Sequence, residues 1–126
     1  MRPGVTLDAG ALIALERGDR RMVVLLARIA EAGGTVVVPA AALAQVIRVP
    51  ARQVPLMRLL RQVSTVTEPL DRAAASFVGQ LLGRTGTTDI ADAHVVICAR
   101  QHGHAVVTSD PQDLARLDPA LDLVAI

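Results

Sequence analysis

The sequence predicts an α/β fold in which a mainly parallel sheet lies between two layers of helices. Short apolar runs typical of strands alternate along the chain with longer segments of helical composition. Strands joined through helices pair in parallel, and helices then cover both faces of the sheet. Hydrophobic residues make up 52% of the 126 residues and charged residues 20%, which favours one packed globular domain over residues 1–126.

The first half of the chain predicts two strands and four helices. Strands are expected at residues 4–7 and 35–38, both apolar runs that end at a potential turn. Asp19 is a suitable N-cap for the second helix, and Gly18 and the pair Gly33-Gly34 are suitable helix ends. Pro39 suits the beginning of the third helix. The helices are expected at residues 9–16, 19–32, 40–48 and 56–62.

The second half predicts three strands and three helices. Pro69 and Asp71 introduce a helix that runs to residue 82, followed by a loop over 83–88. Its expected buried face contains Ala74, Phe77, Val78 and Leu81. The next helix begins after a Thr88 N-cap and ends at Gly103. A helix at 111–117 and strands at 63–66, 105–108 and 121–126 complete the pattern.

Composition excludes several classes of protein. The chain has one Phe and neither Tyr nor Trp, which argues against nucleic-acid binding by aromatic stacking. A net charge of +1 excludes a strong overall field toward RNA or membranes, although local patches remain possible. The single Cys98 lies in an apolar segment and predicts a buried thiol in a reducing compartment. With no signal-like segment and no long apolar run, we expect a soluble cytoplasmic protein without membrane contact.

Three acids occupy comparable places at the ends of predicted elements. Asp8 ends the first strand, Asp110 follows the strand at 105–108, and Asp92 lies in the first turn of a helix, with Asp89 one turn before it. Ligands bind at the carboxyl ends of parallel strands, and gathered carboxylates require a cation. Oxygen ligands select Mg²⁺ or Mn²⁺, which activate water and stabilise charge on a phosphoryl group. Each acid taken alone is also an ordinary turn or capping residue.

Four segments together carry a resemblance to a known family. They are V-T-L-D-A at residues 5–9, V-P-A-A-A-L-A-Q-V at 38–46, D-I-A-D-A-H-V-V at 89–96 and A-V-V-T-S-D-P-Q-D-L at 105–114. In this order and spacing the chain resembles the PIN domain family, and within it the small VapC-type toxin ribonucleases. The resemblance implies a three-layer α/β/α sandwich, and Thr108 falls on a threonine position of the family beside the last acid.

The resemblance also implies an activity and partners. Asp8, Asp92 and Asp110 would surround one or two Mg²⁺ or Mn²⁺ ions, and the protein would cleave RNA as an endoribonuclease. It would be the toxin of a type II toxin–antitoxin pair, with a small antitoxin over the active-site groove. A homodimer formed through helical faces is expected as well.

Gln45 departs from the family pattern, which usually has Glu in this helix. An amide oxygen accepts hydrogen bonds but brings no negative charge to a metal. Asp89 supplies the missing charge in one interpretation, and the site binds metal more weakly in another. In a third interpretation the protein is a weakly active or non-catalytic binding module.

Further residues have weaker functional interpretations. Four arginines near one helical hairpin are candidates for RNA phosphate contacts or form a solvated face: Arg48, Arg52, Arg58 and Arg61. Glu16 and Asp113 are candidates for supporting acids near the site. His94 follows Asp92 by two residues and is a candidate to approach the acid site, although a surface or packing role is expected for it.

Overall fold

The computed structural model describes residues 3–126 and contains a five-stranded parallel sheet between helices. The strands are β1 (Gly4–Leu7), β2 (Thr35–Pro39), β3 (Thr65–Glu68), β4 (Ala105–Thr108) and β5 (Leu123–Ala125). Their order across the sheet is β3-β2-β1-β4-β5, and all the neighbouring pairs are parallel. The predicted α/β/α architecture is confirmed.

Seven α-helices flank this sheet within residues 3–126. They are α1 (Ala9–Glu16), α2 (Arg20–Glu31), α3 (Ala40–Val46), α4 (Val54–Arg61), α5 (Arg72–Thr85), α6 (Ile90–His102) and α7 (Pro111–Leu117). Helix α1 packs against α2 and α4 on one side of the sheet, and α6 packs against α5 and α7 on the other. Helix α3 contacts both α1 and α6, so it closes the end of the sandwich between the two layers.

The chain path creates a crevice between β1 and β4. Strands β1, β2 and β3 are added in one direction, and the chain then returns to place β4 on the free side of β1. Leu7 lies beside Val107, so the residues after both strands emerge at the same edge of the sheet. This reversal of strand order is where open α/β sheets bind ligands. The fold therefore directs attention to Asp8 and Asp110.

Helix α6 and the central strands form the core. Residues 93–99 of α6 are all buried, as are residues 36–39 of β2, so these elements are apolar on nearly every side. Cys98 lies in this core as a free thiol, and burial, with the charge of Glu68 as a smaller cause, raises its pKa to about 12. In residues 3–126, no helix is both long and apolar enough to cross a membrane.

Some predicted element bounds were wrong. The strand predicted at 63–66 lies at Thr65–Glu68, because the Thr65 N–H donates to the Gln62 carbonyl and this turn leaves Val63 fully exposed. The closing strand is shorter than predicted and covers only Leu123–Ala125. Helix α3 ends at Val46 rather than at residue 48. Helix α4 begins at Val54, with Pro55 in its first turn, where no intrahelical N–H bond is required.

Three predictions about helices α5 and α6 were also wrong. Helix α5 continues to Thr85 rather than 82, because Gly86 supplies the left-handed conformation that ends it, with φ of 68°. Phe77, predicted on the buried face of α5, is half exposed. The N-cap of α6 is Asp89 rather than Thr88, and its carboxylate accepts a hydrogen bond from the Asp92 N–H.

Candidate active site

Asp8 is a buried carboxylate at the carboxyl end of β1. Its side chain caps α1, and Oδ1 accepts a hydrogen bond of 2.8 Å from the Ala11 N–H. Burial raises the pKa of Asp8, while the neighbouring Thr108 hydroxyl and the Ala11 N–H oppose that rise. The strand end and the helix cap together fix this carboxylate in one position.

Thr108 connects two of the predicted site acids. It is fully buried at the end of β4, and its hydroxyl oxygen accepts a hydrogen bond of 2.8 Å from the Asp110 N–H. The same hydroxyl lies beside the Asp8 carboxylate and favours its ionised form. Thr108 therefore orders both strand ends at the crevice.

Asp92 and Asp89 approach the crevice from the N-terminus of α6. Asp89 accepts a hydrogen bond of 2.9 Å from the Asp92 N–H, so it caps the helix that carries Asp92. Partial burial, and then the negative charges of Asp89, Asp8, Asp113 and Asp110, raise the pKa of Asp92 to about 6. These influences place Asp92 among the other four acids, and the five are called the acid centre below.

Asp113 is a member of the acid centre that the sequence indicated only as a supporting acid. It lies in the first turn of α7, and the neighbouring Asp110 carboxyl group raises the pKa of Asp113. The sequence evidence for Asp113 was its position three residues after Asp110, because helix geometry turns side chains with this spacing to the same side. By contrast, the Glu16 carboxylate accepts a hydrogen bond of 3.1 Å from the Leu56 N–H at the start of α4, a structural role.

Gln45 lies to one side of the acid centre. It is exposed on α3 and, together with Ala41, Thr88 and Asp89, lines a groove of about 610 Å³. The structure thus brings Gln45 and Asp89 to the same groove. Gln45 and Asp89 are therefore both candidates for the role of the Glu that the family usually has at position 45.

His94 has a packing role, one of the two roles expected for it, and no surface role. It is fully buried on α6, and its Nδ1 accepts a hydrogen bond of 3.4 Å from the Ala41 N–H in the first turn of α3. Its Nε2 has no hydrogen-bond partner within residues 3–126. Burial lowers the pKa of His94, so the neutral ring ties α3 to α6.

The four arginines proposed for RNA contacts are exposed but differ in their surroundings. Arg48 donates hydrogen bonds of 3.2 and 2.7 Å to the carbonyl oxygens of Ala44 and Ile47, so it caps the end of α3. Arg52 lies in a short 3-10 turn, Pro50–Arg52, and Arg58 and Arg61 lie in the last turn of α4. None of the four lines the grooves beside the acid centre.

The acid centre has the donor chemistry of a site for a hard divalent cation. The donor atoms that it offers are carboxylate oxygens, with no thiol or imidazole among them, and such donors suit Mg²⁺ or Mn²⁺. Within residues 3–126, however, no three acidic, His or Cys side chains surround a common point closely enough to hold a metal ion. The chemistry of the residues fits the ion, and the ion itself stays a prediction.

The fold and this site define an α/β/α domain with an acid centre at the crevice where its strand order reverses. Residues 5–119 match the family model described as the PIN domain. The chain belongs to the PIN domain family. Members of this family are generally nucleases and generally use divalent metal ions, so membership supports hydrolysis of nucleic acid.

Three solved structures share the fold at low sequence identity. VapBC2 from Rickettsia felis, bound to a DNA fragment from its promoter, matches with a TM-score of 0.71 and 16% identity over 98% of each chain. FitAB bound to an IR36 DNA fragment matches with a TM-score of 0.63 and 18% identity, over 96% of this chain and 94% of that chain. FitAcB from Neisseria gonorrhoeae matches with a TM-score of 0.60 and 20% identity, over 94% of this chain and 95% of that chain. A search of curated protein sequences finds no significant match.

Proposed function

We propose that this protein is an Mg²⁺- or Mn²⁺-dependent endoribonuclease and the toxin of a VapBC-type toxin–antitoxin pair. What supports the proposal is a PIN fold in which Asp8 and Asp110 follow the adjacent parallel strands β1 and β4, and in which the charges of both acids help to raise the pKa of Asp92. Such a cluster of carboxylates beside a crevice suits phosphodiester hydrolysis better than it suits binding of an anionic ligand without a cation.

Each residue of the acid centre has a separate part in this proposal. Asp8, Asp92 and Asp110 would hold the divalent ion, which when bound supplies charge neutralisation at the phosphoryl group and activation of water. Thr108 orients Asp8 and Asp110 through the contacts of its hydroxyl group. Asp113 lies beside Asp110 in the first turn of α7 and adds a carboxyl group on that side of the centre.

Gln45 and Asp89 shape the side of the site that faces α3. They line one groove, and in this proposal the Asp89 carboxylate supplies the negative charge that the neutral Gln45 amide lacks. Asp89 also caps α6, and only one of its carboxylate oxygens is needed for that bond. The other oxygen is available to a cation or a water molecule.

The proposed partners follow from the family and from its structural neighbours. VapBC and FitAB are toxin–antitoxin complexes, which supports an antitoxin partner for this chain. RNA is the proposed substrate, with Arg52, Arg58 and Arg61, and to a lesser degree Arg48, contacting its phosphates. We further propose a homodimer in the cytoplasm, with residues 1–126 as a single domain.

A second candidate function is a PIN-like binding module with little or no catalysis. Two observations favour it: Gln45 brings no charge, and within the described residues no three side chains are arranged as metal ligands. Such a module would bind RNA or a protein partner through the same crevice without turnover.

Cleavage of a mixed tRNA and rRNA pool tests the proposed function. The purified wild-type protein is expected to cleave RNA with Mn²⁺ or Mg²⁺ and to lose this activity in EDTA. Asp92→Asn should abolish cleavage, and Asp122→Asn, an exposed acid outside the centre, is the matched control. Binding of RNA without cleavage by the folded wild-type protein would favour the binding module.

A further inference from the structure

A second groove begins beside the acid centre and is here called the arginine groove. It measures about 550 Å³, and its lining residues are Gly10, Ile13, Ala14, Arg17, Asp19, Arg21, Ser109 and Ile126. Gly10 and Ser109 form its near end, next to Asp8 and Asp110. Helix α1 rises about 1.5 Å per residue, so Arg17 lies roughly 10 Å further along the helix than Gly10.

The near end of the groove is in direct contact with the acid centre. A Cβ atom on Gly10 would overlap with the Ser109 hydroxyl oxygen and lie 3.4 Å from Oδ1 of Asp8. Ser109 itself stands between Thr108 and Asp110 in the chain. A strand of RNA held at the acid centre therefore has the arginine groove as an adjacent path.

The charge of the groove is opposite to that of the acid centre. Five carboxylates repel a polyanion, whereas the side chains that line the groove include two guanidinium groups and one carboxylate, that of Asp19. Arg21 pairs with Asp19 at 3.3 Å, and an ion pair this exposed is weak. Arg17 makes no side-chain hydrogen bond or ion pair within residues 3–126, so its guanidinium is free for a ligand.

The groove also has an apolar part. Ile13, which is 37% exposed, and Ala14 line it beside the arginines. Guanidinium groups next to apolar side chains, with a hydroxyl at one end, match the phosphate, the ring and the ribose of a nucleotide. A purely hydrophobic partner segment would leave Arg17 without a counter-charge.

We propose that the arginine groove binds single-stranded RNA next to the phosphodiester that is cleaved. Arg17 and Arg21 contact a phosphate, and Ile13 packs against the neighbouring nucleotide. This inference rests on the proposed ribonuclease function and adds the surface that holds the substrate. The contacts are to the backbone, so they position RNA without reading its sequence.

Binding of a short fluorescein-labelled single-stranded RNA to the full-length protein in EDTA tests the groove. The double variant Arg17→Ala/Arg21→Ala is expected to bind about tenfold more weakly, since two solvent-exposed charge contacts are lost. Its salt dependence should fall by about 0.7 in log–log slope for each lost phosphate contact. Arg28→Ala, which removes the same charge from the last turn of α2, is the matched control and should bind like the wild type.

Asp19→Asn provides a test in the opposite direction. Asn caps a helix about as well as Asp does, so α2 should persist while the charge that competes for Arg21 is removed. RNA binding should become about two- to threefold tighter, which corresponds to a weak exposed ion pair. This result cannot come from unfolding, which would only weaken binding.

Cleavage in Mn²⁺ separates failure of the inference from failure of the proposed function. The double variant should have a raised KM and a kcat near that of the wild type. If the wild type cleaves RNA but the double variant matches Arg28→Ala in binding, the arginine groove is not an RNA site. A wild type that neither binds nor cleaves RNA overturns both.

Discussion

Asp92 is a carboxylate that resists ionisation in the folded protein. Partial burial and four neighbouring acids raise its pKa to about 6. Asp8 lies deeper, but its bonds from Ala11 and the adjacent Thr108 hydroxyl partly offset the effect of burial. The individual side chains therefore differ in how strongly they require a cation.

The raised pKa of Asp92 predicts a pH-dependent stability in the absence of metal. From its ordinary value of 3.8 up to about 6, the folded protein holds this proton more tightly than the unfolded chain does. The contribution of Asp92 to stability is therefore lost as pH rises through this window, and the cost persists above it. The melting temperature of Asp92→Asn should therefore increase relative to that of the wild type as the pH is raised from about 4 to 7 in EDTA.

Thermal melts of the two proteins across this range measure the effect. Asp122→Asn is the control, because Asp122 is exposed and lies outside the acid centre. A constant difference between Asp92→Asn and the wild type at all pH values would contradict the prediction.

The second prediction about individual residues concerns Asp89 and Gln45. If Asp89 supplies the charge that Gln45 lacks, Asp89→Asn should cripple cleavage, and Gln45→Glu should partly rescue it. If Asp89 only caps α6, Asn should be tolerated, because the two residues cap about equally well. Cleavage by the wild type, both single variants and the double variant, at limiting and saturating Mn²⁺, distinguishes these cases.

The outcomes of this cycle are separable. Full activity of Asp89→Asn contradicts compensation, whereas a higher metal affinity of Gln45→Glu supports a metal-facing role for residue 45. No cleavage by any of the four folded proteins would favour the binding module.

At the level of elements, the site depends on how α3, α6 and the strands meet. His94 accepts a hydrogen bond from the first turn of α3, where Pro39 is the N-cap and offers no side-chain acceptor. This contact fixes the helix that carries Gln45 against the helix that carries Asp89 and Asp92. Arg48 caps the other end of α3, so both ends of this short helix are held by residues outside it.

The arginines of the α3–α4 segment give a prediction at this scale. Arg52→Ala/Arg58→Ala should weaken RNA binding and lower its salt slope by about 0.7 for each lost contact. Arg48→Ala should instead lower the melting temperature, because its guanidinium binds backbone carbonyls of α3. Titration of labelled RNA at several salt concentrations measures the first effect and thermal melts the second. Unchanged affinity and salt slope in the double variant would mean that Arg52 and Arg58 belong to a solvated face and do not contact RNA.

The whole molecule is a sheet whose order of strands creates the crevice and whose helices bring acids to it. A cation that binds only this assembled state stabilises it by mass action, about 2.7 kcal/mol at a concentration 100 times its Kd. The stability of the protein and the occupation of its site are therefore linked.

Millimolar Mn²⁺ or Mg²⁺ should accordingly raise the melting temperature by several degrees. Asp92→Asn should reduce this increment while its circular dichroism spectrum stays that of the wild type. Asp122→Asn should keep the full increment. A wild-type melting temperature that does not change with Mn²⁺ would count against the metal site.

The sequence by itself determined the order and type of the elements, because periodicity, helix caps and glycines are local signals. Strand β1 and helices α1 and α7 have the predicted bounds, and Asp19 caps α2 as expected. The four family segments also indicated Asp8, Asp92 and Asp110, since each acid follows a strand or begins a helix. The helix end at Thr85 and the strand shift near Val63 were missed, because a turn and its hydrogen bonds decide them.

The tertiary structure decided which of these local elements meet. The position of β4 beside β1 places Asp110 near Asp8, and α7 then brings Asp113 to Asp110. The packing of α1 and α4 assigns Glu16 to a helix cap rather than to the acid centre. The same assembly joins Ser109 to Gly10 and opens the arginine groove beside the acids. These outcomes depend on contacts between residues that are distant in the chain, and local propensity contains no information about such contacts.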